Sequence, residues 1–101
     1  FNLQVGNWQY PAGKQLAAHR HIENSRTVSQ THEMVFVKFG SMKVTIFDSN
    51  DSIVTDFILN TGDYAVMGDC GHGYEILSDD TQILEAKTGP FVGVEADKQN
   101  I

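Results

Sequence analysis

The sequence predicts an all-β fold, and three observations carry that prediction. Short β-type runs recur every 8–14 positions, clusters of turn-forming residues separate them, and no window holds an apolar stripe of helical period. The runs are Met34 to Phe39, Met42 to Phe47, Ile53 to Leu59, Tyr64 to Met67, Tyr74 to Leu77 and Ile83 to Lys87. Between them lie Gly40-Ser41, Asp48 to Ser52, Asn60 to Asp63 and Ser78 to Thr81. Gly tolerates positive φ, and Asn, Asp and Ser bond their own backbone, so each cluster reads as a turn. Regularly spaced strands joined by tight turns build a sandwich or a barrel.

Upstream of Met34 the pattern is weaker. Leu16-Ala17-Ala18 has helical propensity, but Pro11 and Gly13 before it favour the start of a strand. An additional early strand is therefore expected across His19-Arg20-His21. Low-complexity segments, linkers and fixed-period repeats are absent, so residues 1–101 read as one domain.

A chain of 101 residues buries a modest core, and domains of this size often draw extra stability from a metal or a partner subunit. Its net charge of −6, with seven Lys and Arg in all and no basic block, argues against nucleic acid and against anionic membranes as partners. No apolar run reaches the length that spans a bilayer and no signal peptide is visible, although Phe1 rather than Met opens the chain. The lone Cys70 excludes an internal disulfide and fits a reducing cytosol, so the expected location is cytoplasmic.

Four residues form the candidate metal set. On a strand, His19 and His21 project to the same face, which suits two ligands to one ion. An isolated H-x-H is more often a pair of surface histidines. Glu33 sharpens the reading, because its same-face neighbours Val35, Val37 and Phe39 are all hydrophobic. An inward carboxylate there must be paired, hydrogen-bonded or metal-bound. His72 lies in Gly71-His72-Gly73, shares a strand face with Tyr74 and Ile76, and has a core histidine as its plainer reading.

These residues resemble the cupin superfamily. Its first motif, G-x5-H-x-H followed by E-x6-G, is similar to Gly13, His19, His21, Glu33 and Gly40, and Gly62-Asp63 through His72 resembles the second motif. The resemblance covers roughly residues 5–95 and implies a cupin-type double-stranded β-helix, a jelly-roll-like barrel with a metal near one mouth. Two departures stand out. Eleven residues separate His21 from Glu33 where the family has three or four, so Ile22 to His32 is expected to form an enlarged hairpin loop and Glu23 competes as the carboxylate ligand. In the second motif Gly68 replaces the proline and Cys70 the glycine, and His72 arrives one residue early. The ligand types suit Fe(II), Mn(II), Ni(II) or Zn(II) without choosing among them.

Glu85 and Lys87 share a face of the last strand, and with Tyr74 they are the candidate proton-transfer groups if the domain is catalytic. Solvated rim charges are the plainer reading. Tyr10, Lys14, Phe36, Phe39 and Tyr74 are candidates to line the pocket, and Arg26 to clamp an anion. His32 should face away from Glu33, and Cys70 reads as a small buried hydrophobe. The tail Glu85 to Lys98 resembles that of small stand-alone cupins, some from surface-polysaccharide pathways. The expected ligand is therefore a small polar molecule, sugar-like or a carboxylate. Turnover (isomerase-, epimerase- or dioxygenase-like), non-catalytic binding or sensing, and a metal-stabilised structural role all remain open. A homodimer through outward apolar residues such as Phe36 and Val54 is expected.

Overall fold

A computed structural model describes residues 3–89. Six strands follow in order: β1 Glu33–Phe39, β2 Ser41–Phe47, β3 Ile53–Asn60, β4 Tyr64–Met67, β5 Gly71–Ile76 and β6 Gln82–Lys87. They form two three-stranded antiparallel sheets, ordered β4-β1-β6 and β3-β2-β5. The described residues contain no helix, and thus none long and apolar enough to cross a membrane. The all-β expectation holds, and each of the six expected strands falls within two or three residues of its place. The described strands form two open sheets.

Period-two patterning explains why these sheets pack. In β1, Glu33, Val35 and Val37 are buried while Met34 and Phe36 alternate with them. In β2, Met42 and Val44 are buried in the same way. Val35, Val37, Met42, Val44, Leu59 and Met67 form the core, drawn from both sheets, with Ile46, Phe57, Ala65, Cys70 and Ile83 packed around it. Each fully buried aliphatic side chain contributes about 1.5–3 kcal/mol through removal from water. Cys70 thus packs against the core, as a small hydrophobe should.

Phe39 departs from the expected alternation. It is 54% exposed, because the pairing of β1 with β6 shifts register between Val37 and Phe39. A bulge turns the following side chain off the inner face.

Turn chemistry fixes the connections. Gly40 joins β1 to β2 at φ +99°, and its N–H donates to Thr61 Oγ1 at 2.9 Å. Asp48 closes the next turn by accepting on Oδ1 from the N–H groups of Asn50 and Ser52, at 2.8 and 3.0 Å. Asp63 N–H donates to Asn60 O at 2.8 Å while Asp63 Oδ2 accepts from Asn60 N–H, with Gly62 at φ +91° between them.

The early segment differs from expectation. Residues 3–32 contain no strand and no helix, and residues 4–31 are exposed throughout. Lys14 N–H donates to Pro11 O at 3.2 Å, closing a turn with Gly13 at φ +88°, but no strand follows it. A strand exists only where a neighbour accepts its backbone hydrogen bonds, and nothing in the described chain pairs with this segment. Ile22 to His32 is accordingly a continuation of that segment and not the loop of a hairpin.

Candidate functional site

β1 and β5 lie in different sheets, yet their inner faces bring a polar cluster together beside the core. Glu33 opens β1 and is only 7% exposed. It pairs in register with Met67 on one side and Lys87 on the other. In the other sheet, His72 pairs in register with Ile46 and Tyr74 with Val44 on the neighbouring strand β2, so both share the face that carries the core residues of β2.

Both carboxylate oxygens of Glu33 are engaged. Tyr74 Oη donates to Glu33 Oε1 at 2.9 Å, with Met67 Sδ 3.7 Å from the same hydroxyl. His72 Nε2 lies 3.2 Å from Glu33 Oε2. The His72 and Tyr74 rings pack with centroids 5.2 Å apart. The His72 bond, with a smaller contribution from Tyr74, outweighs burial and holds the Glu33 carboxyl at about 2, well below the usual carboxylate range. Burial first, and then the bond to Glu33, pushes the Tyr74 phenol far above its ordinary value. Burial likewise raises the Cys70 thiol.

Glu85 and Lys87 extend the cluster from β6. Lys87 Nζ lies 3.8 Å from Glu85 Oε1, and their side chains are 18% and 47% exposed. Solvated rim charges, the plainer reading of the sequence, describe Glu85, whereas the Lys87 side chain is largely covered. His72 Nδ1 is buried without a hydrogen-bond partner.

The four candidate metal ligands fall into two pairs. Glu33 and His72 meet as described. His19 and His21 also meet each other, edge to face with centroids 5.0 Å apart, and His19 Nδ1 lies 3.0 Å from Ala17 O. They do so on the exposed early segment, away from Glu33 and His72. Glu23 is exposed there too. Among the described residues no group of three or more His, Cys, Asp or Glu side chains converges to hold an ion. As arranged, Glu33 and His72 supply two of the four expected donors.

Other expected site residues scatter. Tyr10 and Lys14 lie on the early segment, with Lys14 Nζ 5.7 Å from the Tyr10 ring centre. Phe36 lies on the outer face of its sheet, where it borders a cavity of about 230 Å³ together with Val5, Met34, Tyr64 and Leu84. Arg26 Nη1 donates to the nearby Asn24 O at 3.4 Å. His32 is buried just before β1, and its N–H donates to Thr88 Oγ1 at 3.2 Å. The tail beyond Gly89 lies outside the described residues.

Sequence reasoning missed the direct bond from Tyr74 to Glu33 and the place of Met67 beside it. Alternation gave the face of each but not which sheet would lie opposite. Compared with known protein families, curated proteins and solved structures, the chain matches none.

Proposed function

We propose that this domain binds a small, hydroxyl-rich polar molecule at the mouth formed by Tyr74, His72, Glu85 and Lys87, with Glu33 as the fixed acceptor behind them. The observation that carries the reading is the doubly bonded Glu33 carboxylate. A carboxyl held at about 2 stays ionised at neutral pH, and a phenol pushed upward stays protonated. Neither is tuned near 7, where general acid–base catalysis is efficient. The pair is a rigid donor–acceptor array, which suits recognition better than proton transfer. Glu33 and Glu85 against Lys87 leave excess negative charge, so a neutral sugar-like molecule is favoured over a carboxylate. Any turnover would fall to Glu85 at the rim and to the more covered Lys87, with Tyr74 as a positioning residue. Titration calorimetry with neutral monosaccharides and with hydroxy acids tests the proposal. Saturable sugar binding lost in Lys87→Met and Tyr74→Phe is expected, and equal binding by both variants would refute it.

A second reading keeps the cupin-type architecture with its divalent ion, Fe(II), Mn(II), Ni(II) or Zn(II). What favours it is an ionised carboxylate oxygen 3.2 Å from an imidazole nitrogen, the spacing of neighbouring ligands on one ion, with the carboxyl already deprotonated as binding requires. The ion would supply Lewis-acid or redox chemistry. His19 and His21 would have to join Glu33 and His72. Elemental analysis of protein purified without nickel affinity, compared with His19→Ala and His72→Ala, decides it. Equal metal content in all three would refute this assignment.

A further inference from the structure

Among the described residues the segment from Trp8 to Gln30 makes no long-range hydrogen bond. Its recorded contacts all run between close neighbours in sequence, such as Lys14 N–H to Pro11 O and Asn24 Nδ2 to Ile22 O. It nevertheless carries large apolar side chains into solvent: Trp8 is 71% and Ile22 83% exposed, with Tyr10, Leu16 and Val28 also exposed. Folding gains nothing from leaving such residues in water, and among the described residues nothing buries them, which makes the segment a candidate for a surface on another molecule.

Charge identifies that surface. Lys14, Arg20 and Arg26 against Glu23 give residues 3–32 a net charge of +2. Residues 33–89 carry ten acidic side chains against Lys38, Lys43 and Lys87, a net charge of −7. The segment is complementary to the body of its own kind of molecule. The β body also offers a place for an extended chain. Among the described residues β5 is an outer strand of its sheet, so one row of its backbone groups has no strand partner there. Gly71 and Gly73 on β5 allow close backbone approach, and Glu75 and the site carboxylates Glu33 and Glu85 lie nearby.

We infer that two copies of this chain exchange their early segments, so that Lys14 to Ile22 of one copy pairs as an added strand along the free edge of β5 in the other. His19, Arg20 and His21 of one copy then stand over the Glu33–His72–Tyr74 cluster of its partner, and each site is completed in trans. The inference needs no particular ligand and does not depend on the proposed sugar binding.

Light scattering on the full chain, joined to an isotope-filtered NOE experiment on a mixture of ¹³C-labelled and unlabelled copies, tests it. The expected result is a mass about twice 11.2 kDa, with intermolecular NOEs from residues 14–22 to Tyr74, Glu75 or Glu85. The double variant Arg20→Glu/Arg26→Glu should weaken the dimer by roughly tenfold or more, and Lys38→Glu should not. A monomer at high concentration would overturn the inference. So would a dimer whose intermolecular NOEs run only between outer-face residues such as Phe36 and Leu84, or NOEs from the segment to β5 within one labelled copy. Loss of sugar or metal binding with the exchange intact would count against the proposed function alone.

Discussion

His72 Nε2 sits 3.2 Å from Glu33 Oε2, although the two residues belong to different sheets. This contact ties β5 to the start of β1 at the end of the sandwich where Lys87 also pairs with Glu33 across β6. A buried carboxylate is costly unless its oxygens are satisfied, and here Tyr74 completes the set. The cluster therefore stabilises the packing of the two sheets.

Glu33 sets an acid limit on stability. Its folded value of about 2 lies below the ordinary 4.5, so its contribution is fully present above pH 4.5 and is lost as pH falls towards 2. The loss should be on the order of 2–3 kcal/mol. Urea unfolding followed from pH 6 to about pH 2 should show this slope in the wild type and a flatter one in Glu33→Gln. Parallel curves would mean that Glu33 is not held in this way.

Tyr74 should remain a neutral phenol well past the ordinary tyrosine range, because burial and Glu33 both oppose the phenolate. Ultraviolet titration of the wild type and Tyr74→Phe should give superimposable tyrosinate curves to about pH 11. The variant should also lose about 1 kcal/mol, the usual net worth of one hydrogen bond on a half-exposed side chain. A tyrosinate step missing only from the variant at lower pH would contradict the burial of the hydroxyl.

Two glycines with similar backbone angles should respond unequally to alanine. At Gly40 a Cβ would strike Thr81 Oγ1 and come within 2.9 Å of Ser78 Oγ, whereas at Gly62 it meets open space. Both sit at positive φ, which alone costs about 1 kcal/mol. Gly62→Ala should lose that much, and Gly40→Ala about 2–4 kcal/mol, since crowding is added. Equal losses in denaturant unfolding would show that the Ser78–Thr81 turn yields freely.

Core and surface aliphatics should separate just as clearly. Met42 is 1% exposed at the centre of the core, and Ile58 lies exposed on β3. Met42→Ala should cost about 2–4 kcal/mol through lost burial and the cavity left behind. Ile58→Ala should stay within about 0.5 kcal/mol, unless β3 is covered by a partner, which size measurement on the same samples would reveal.

The sequence by itself determined the six strands, their turns and the inward face of Glu33. Those properties are local: alternation places Val35 and Val37 beside Glu33, and Gly40, Asp48 and Gly62 mark bends that few other residues make. The tertiary structure alone decided that Tyr74 and His72 would meet Glu33, since that depends on how one sheet lies across another. It alone decided that Phe39 turns outward, because a register shift has no signature in a single strand. It likewise decided that His19 and His21 form no strand within the described chain. Alternation can propose a strand, but hydrogen-bond partners from elsewhere must complete it, and residues 14–22 find none among the described residues.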